Sequence, residues 1–403
     1  MKFSNRILQV KPSPTMAVTA MAAQLRAEGV DIIGFGSGEP DFDTPLHIKE
    51  AAIKAIESGK TKYTPAGGLP ELKEAVVEKF KRDNNLNYKK SEIIINCGGK
   101  HSFYNLMQVL IDAGDEVIIP SPYWVSYPDM VKLAGGTPVF IETSSDTGFK
   151  ITPEQLETSI TSKTRAVVIN SPSNPTGAAY TKEELAVFAS ILEKTDVIPI
   201  SDDIYENIIY DGFKFSNIAN ISDSMKERTI VLNGVSKTYA MTGWRIGYTA
   251  GNEDIIKKMD ILQGQSTSNP TTISQWAAIE ALTGDQTVLD NMLEAFNRRR
   301  NFVIEGLNDI PGITCNKPEG AFYAFPKISG VYELKGWEKA SEKYKDTYKS
   351  SSFSAYLLNE AGTAVVPGIG FGSDEYIRIS FATSDSNLKE GLKRIRGAIE
   401  KLC

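Results

Sequence analysis

Short apolar runs recur along the middle of the chain, separated by longer stretches in which apolar positions return every three or four residues. The runs are Ile93-Ile95, Val117-Pro120, Val139-Ile141, Ala166-Ile169, Val197-Ile200, Ile230-Leu232 and Ile246-Ala250. Runs this short and this continuously apolar read as strands of a sheet covered on both faces. Between them, Lys182-Glu193 has helical periodicity. Pro70 to Asp83 sets Leu72, Ala75, Val76 and Phe80 on one side of a helix, with Pro70 suited to its first turn. Alternation of this kind from about residue 46 to 285 predicts an α/β fold, with a mostly parallel sheet sandwiched by helices.

Toward the C-terminus the pattern changes. Asp290-Leu307 reads as a long helix, Gly320-Phe325 and Glu375-Phe381 as strands, and the chain from Ser386 as a terminal helix. This is α+β in character and predicts a second, smaller domain. The stretch Ser329-Phe353, rich in Lys, Glu, Tyr and Ser, reads as a solvated, mobile insertion.

Composition narrows the chemistry. The 403 residues are 41% hydrophobic and 23% charged, enough for two buried cores. A net charge of -6 gives no general attraction to nucleic acid or to an anionic membrane. Arg298-Arg299-Arg300 then reads as a solvated helix face. No apolar run is long enough to span a bilayer, and Met1 to Thr15 lacks the apolar core of a secretory signal, so a cytoplasmic location is expected. Cys97, Cys315 and Cys403 are too scattered for a disulfide framework or a cysteine zinc site. With only His47 and His101, a three-histidine metal centre is excluded, no metal is expected, and neither histidine has a G-x-S-x-G partner. Proton transfer must rest on Lys, Tyr, Asp or Glu.

Three glycine clusters need sorting. Gly34-Phe-Gly-Ser-Gly38 starts like a dinucleotide fingerprint, but Glu39 stands at the sixth position and Pro40 follows where a helix should begin. It and Gly368-Ile-Gly-Phe-Gly372 read as tight turns. Gly98-Gly99-Lys100 follows the strand Ile93-Asn96 and opens a helix through Tyr104 and Met107, an arrangement that offers free backbone N–H groups to a phosphate.

Four segments lie at or just beyond the ends of apolar runs: Pro122-Tyr123-Trp124, Asn170 to Gly177, Ser201 to Tyr205, and Ser236 to Arg245. In open α/β sheets that edge is where ligands bind. Each segment also has a plain structural reading. Asn174-Pro-Thr-Gly177 makes a good turn, Asp202 suits a helix N-cap, Lys237 suits an exposed loop and Trp124 suits a core.

Asn174-Pro-Thr-Gly177, Ser201-Asp202-x-Ile-Tyr205-Glu206 and Ser236-Lys237-x6-Trp244-Arg245-Ile-Gly247 together resemble the class I aminotransferases of pyridoxal-phosphate fold type I. The resemblance runs from Lys11-Pro-Ser-Pro-Thr15 and Gly38-Glu-Pro-Asp-Phe, through Lys62-Tyr63-Thr64-Pro, to Arg378-Ile-Ser-Phe-Ala-Thr383, and is strongest to the aspartate aminotransferases of bacteria and plastids. It implies a large cofactor domain over 46–285, with a small domain built from 286–403 and part of 1–45.

The resemblance also implies roles. Lys237 would carry pyridoxal phosphate as an imine and then act as general base, which requires an amine well below its usual pKa. Asp202 would hold the ring nitrogen, Tyr205 and Asn174 the ring oxygen, and Trp124 the ring face. The phosphate would sit on the Gly99-Lys100 helix start with Ser236 and Arg245, joined by Tyr63 from the second subunit of a homodimer. One departure is Gly234, where some relatives have a phosphate-binding serine. The ligands implied are amino acids and 2-oxo acids. Trp124 and Asn174 would border the substrate too, and Gly38 would add a backbone contact. Arg378 sits on the strand face opposite Ile377, Ile379 and Phe381; it is either solvent-facing or the clamp for the α-carboxylate. Lys100 would take the distal carboxylate of aspartate or glutamate, and Lys11 matches a lysine that accompanies prephenate acceptance. The competing readings are a C–S lyase, an aminotransferase for aromatic or neutral amino acids, and a non-catalytic ligand-binding regulator.

Overall fold

A computed structural model describes residues 2–12 and 14–403. In chain order its strands are β1 (Ile33–Gly34), β2 (Ile93–Asn96), β3 (Glu116–Ser121), β4 (Thr137–Glu142), β5 (Thr164–Asn170), β6 (Ile198–Asp202), β7 (Ile230–Gly234), β8 (Gly247–Ala250), β9 (Tyr323–Ala324), β10 (Thr363–Ala364), β11 (Val366–Pro367) and β12 (Ile377–Ser380). Every one of the seven apolar runs contributes a strand to one sheet, ordered β2-β8-β7-β6-β5-β3-β4. Pairing is parallel from β7 through β4, while β8 runs antiparallel to both β7 and β2. Because β8 is reversed, its beginning lies at the sheet edge where the other six strands end.

Both faces of the sheet are covered. Val117, Ile119 and Val168 pack toward one side with Phe103, Leu106 and Met107 of the helix Gly99–Leu110. Ile118, Val167 and Ile169 pack toward the other with Leu185, Phe188 and Leu192. Consecutive residues thus bury on opposite faces, which is why the strand sequences are apolar without alternation. The helix expected from Pro70 runs Pro70–Asn84, and all four of its apolar positions are buried. No helix among the described residues is long and apolar enough to cross a membrane.

A second apolar core joins the two ends of the chain. Ile33 and Phe35 pack with residues of the long helix Val288–Asn308, of β9 and β12, and of the terminal helix Asp385–Glu400. β1 pairs with β10 in parallel, and β12 lies antiparallel between β11 and β9. Tyr205, Ile208 and Tyr210, from the loop after β6, are buried in this same core. The loop that follows Asp202 is therefore clamped by residues far away in sequence.

Three expectations are corrected. The arginine triplet is not a solvated face, since only Arg298 is exposed. Successive helical residues point about 100° apart, so three in a row cannot share one side. Arg299 turns inward to Asp41 at 2.7 Å and Asp385 at 3.1 Å. Arg300 is buried against Tyr210, bonding Asp211 at 2.8 Å and the Pro318 carbonyl at 2.9 Å. Ser329-Phe353 is solvated along its lysines and glutamates, as expected, but it is folded rather than a loose insertion: a 3-10 turn and the helix Trp337–Lys343, followed by the start of the helix Lys349–Ala361. Its lysines and glutamates mask two anchors, Trp337 and Phe353, which pack on each other and on Tyr356 in the second core. Finally, Gly34 to Gly38 is no tight turn. Gly34 lies in β1, none of Gly34, Gly36 and Gly38 has a positive φ, and no turn forms between them.

Candidate active site

The carboxyl ends of β5, β6 and β7, the start of β8 and the helix beginning at Gly99 open on a cavity of about 250 Å³. Its walls include Gly38, Gly99, Lys100, Trp124, Asn174, Asp202, Tyr205, Ser236, Lys237, Arg245 and Arg378. Segments scattered over some 340 residues are thus brought to one place.

Asp202 ends β6 and pairs laterally with Asn170 at the end of β5. The Asn170 amide donates to the Asp202 carbonyl at 3.0 Å, tying the two strand ends together. The carboxylate accepts the Tyr127 hydroxyl on Oδ2 at 2.5 Å and the Ile204 N–H on Oδ1 at 3.3 Å. Burial raises its pKa, and the Tyr127 bond, the Ile204 amide and the nearby Lys237 pull it back. The helix N-cap reading of Asp202 is set aside: no helix follows it.

Lys237 lies just past β7, and its amine donates to the Gly38 carbonyl. Its pKa is pushed down to about 8, first by burial and then by Arg378 and Arg245; Glu39 and Asp202 oppose the shift. At pH 7.5 about a quarter of such an amine is neutral, against about one part in a thousand for an ordinary lysine. It is not a free loop lysine.

Arg378, in β12, is only 2% exposed, so the solvent-facing reading fails. Nη1 donates to Asn174 Oδ1 and Nη2 to the Gly36 carbonyl, each at 2.9 Å. The guanidinium lies over Tyr323 at 4.4 Å and Phe371 at 5.0 Å. Its Nε is buried without a partner, the kind of orphaned donor that a ligand satisfies. Asn174 is itself set by Asn170, whose Oδ1 accepts the Asn174 N–H at 2.9 Å.

An anion cradle lies on the β8 side of the cavity. The helix Gly99–Leu110 starts from Gly98 at φ 90°, with no side chain capping its first N–H groups. A Cβ on Gly98 would run into the Arg245 guanidinium, and one on Gly247 would meet Gly98 C and Gly99 N at 2.6 Å. Arg245 reaches this point because β8 is reversed, and it is held in the left-handed region at φ 57°, unusual outside glycine. Ser236 adds a hydroxyl to the wall. Gly234 is explained as well: a Cβ there would lie 2.9 Å from the Ile246 carbonyl oxygen and 3.1 Å from Gly247 Cα, so no serine fits.

Lys100 stands at the mouth, 5.2 Å over the Trp124 ring, its pKa lowered by desolvation and by Arg245. Trp124 is half-buried between cavity and core, packed edge-on against Tyr127. Tyr205 is buried, its hydroxyl 2.8 Å from that of Tyr323. Two expected residues are not in the walls. Lys11 is exposed, and Tyr63 is 93% exposed beside a separate hollow with Thr267 to Asn269. Sequence reading missed Thr15, Tyr127, Thr242 and Tyr323. Tyr127 had a signal, lying one helical turn beyond Trp124. Tyr323 had none, because the β9–β12 pairing delivers it beside Arg378.

A lysine with a depressed pKa, a buried carboxylate, a buried arginine and an anion cradle around one cavity, on this sheet, define a class of enzyme. The chain belongs to that class, the class I and II aminotransferases, whose family model matches residues 30–395. It is 51% identical over 401 residues to the aspartate aminotransferase of Bacillus subtilis (strain 168), covering 100% of both chains. It is 53% identical over 396 residues to the aspartate/prephenate aminotransferase of Nitrosomonas europaea, covering 98% of this chain and 99% of that one. Among solved structures, the aspartate aminotransferase from Rhizobium meliloti superposes with a TM-score of 0.94 at 46% identity, over 100% of both chains.

Proposed function

We propose that this protein moves the α-amino group of aspartate or glutamate to 2-oxoglutarate or oxaloacetate, with pyridoxal phosphate held on Lys237. One observation carries the reading: the depressed Lys237 amine shares a single cavity with Asp202 and with Arg378, whose Nε is unpartnered. The cavity suits the cofactor by its donor set. The Gly99 and Lys100 amides, Ser236 and Arg245 match a phosphate, Trp124 a ring face, Asp202 a pyridinium nitrogen, and Asn174 and Tyr205 a ring oxygen. Bound pyridoxal phosphate supplies an electron sink for the pair left on the substrate Cα.

The protein's own groups do the rest. Arg378 takes the α-carboxylate and fixes the Cα–H direction, with Asn174 and the Gly36 carbonyl holding the guanidinium in place. The Lys237 amine would take the Cα proton and deliver it to the carbon that a bound cofactor presents across the imine nitrogen, its C4′. Tyr127 and the Ile204 amide hydrogen-bond the Asp202 carboxylate and oppose the upward pull of burial on its pKa. Lys100 at the mouth favours a second carboxylate, consistent with the names of the relatives. Prephenate as a further acceptor rests on Lys11 and on the name of the Nitrosomonas relative. The near-complete exposure of Tyr63 supports a homodimer in which it serves the partner's phosphate site. The division into 1–45, 46–285 and 286–403, and a cytoplasmic location, belong to the same reading.

The test is the purified protein with aspartate and 2-oxoglutarate, following oxaloacetate, alongside the visible absorbance before and after aspartate. Transfer with one cofactor per chain is expected, with both the transfer and the covalent form of the cofactor lost in Lys237→Ala. Elimination from cystathionine without transfer from aspartate would replace this assignment with a lyase. Cofactor binding with no turnover would indicate a regulator.

A further inference from the structure

Tyr323 is buried in the wall of the cavity and has no part in the chemistry above. Its hydroxyl lies 2.8 Å from that of Tyr205, and among the described residues neither phenol has another hydrogen-bond partner. Its ring lies under Arg378, 4.4 Å from the guanidinium carbon. It therefore touches both the residue assigned to the ring oxygen and the residue assigned to the substrate carboxylate. Gly38 leaves room for it: a Cβ at that position would stand 3.2 Å from the Tyr323 oxygen.

Each phenol has one proton and two lone pairs, so one of the two must donate to the other. Under the proposed function the single Tyr205 proton goes to the cofactor's ring oxygen, which leaves the Tyr205 oxygen as the acceptor in the 2.8 Å contact. Donation thus runs from Tyr323 to Tyr205. A Tyr205 oxygen that already accepts has its own proton free for the cavity, and hydrogen bonds in such a chain strengthen one another.

We infer that Tyr323 is a positioning residue: its hydroxyl turns the Tyr205 proton toward the cofactor's ring oxygen, and its ring supports Arg378. The inference rests on the pyridoxal phosphate reading of the site. A donor at the ring oxygen stabilises that oxygen's anionic form, so it lowers the pH at which the bound cofactor's absorbance changes. Losing the donor raises that pH.

The experiment compares Tyr323→Phe, Tyr323→Leu, Tyr205→Phe and the Tyr205→Phe/Tyr323→Phe double variant as holoenzymes. Each is read by a spectrophotometric pH titration and by the binding of maleate. In Tyr323→Phe the midpoint should rise by roughly half a pH unit or more, with maleate affinity within about twofold of the parent. In Tyr323→Leu maleate should also weaken, by roughly tenfold, because the ring beneath Arg378 is gone. The double variant should titrate like Tyr205→Phe alone. The inference is overturned if Tyr205→Phe moves the midpoint and Tyr323→Phe does not, or if the two shifts add. Parent protein that takes up no pyridoxal phosphate would refute the underlying reading, a result distinct from either. Should the leucine variant fail to fold, the phenylalanine variants still decide the matter.

Discussion

Replacing Lys237 with methionine tests the electrostatics of the site without any cofactor or substrate. The folded amine titrates at about 8, against 10.5 for an ordinary lysine, mainly because it is desolvated. Below pH 8 the amine is charged in both the folded and the unfolded chain, and the folded state bears the full cost of holding that charge out of water. Between about 8 and 10.5 the unfolded chain keeps a proton that the folded protein has released. The unfolded state then binds more protons, so stability rises with pH across that window. A pKa difference of this size corresponds to roughly 3.4 kcal/mol in all, of which about 2.5 kcal/mol is gained between pH 7 and pH 10. Methionine has nearly the same length and no charge, so Lys237→Met should lack this gain. Urea unfolding of the cofactor-free proteins at pH 7, 8, 9 and 10 measures it. The stability of Lys237→Met relative to the parent should fall by about that amount as the pH rises, other titrations cancelling in the difference. Parallel pH profiles would mean that the amine is not desolvated, and the case for a ready general base would fall.

Arg378→Lys keeps the charge but loses the planar fork that holds Asn174 and the Gly36 carbonyl. Steady-state kinetics should show kcat/KM for aspartate down by roughly tenfold to a hundredfold. Gly234→Ser should not restore a phosphate contact. Its Cβ meets fixed backbone atoms of Ile246 and Gly247, so urea unfolding should show a loss of about 1–3 kcal/mol with no gain in cofactor affinity. Trp337→Ala, in the stretch first read as solvated, should cost about 3–5 kcal/mol and lower the melting temperature of the holoenzyme. An unchanged melting temperature there would show that the segment does not belong to the second core.

Much of this molecule is legible in one dimension. The seven apolar runs, the helices at Pro70 and Lys182 and the phosphate-ready start at Gly99 all follow from residues close together in the chain, and backbone preferences and hydrophobic period act at that range. Motif order also placed Lys237, Asp202, Asn174 and Arg245 at strand ends, where they are found. Local pattern could not say which way a polar residue faces once distant segments meet. Arg299 and Arg300 looked solvated because nothing near them in sequence shows Asp41, Asp211 or Tyr210. Arg378 could be read two ways until β12 was seated against Phe371 and Tyr323. The reversal of β8, which carries Arg245 to the site, and the meeting of Tyr205 with Tyr323 depend on pairings between strands and on the packing of the second core. A side chain's environment is set by partners hundreds of residues away, and only the folded chain brings them together.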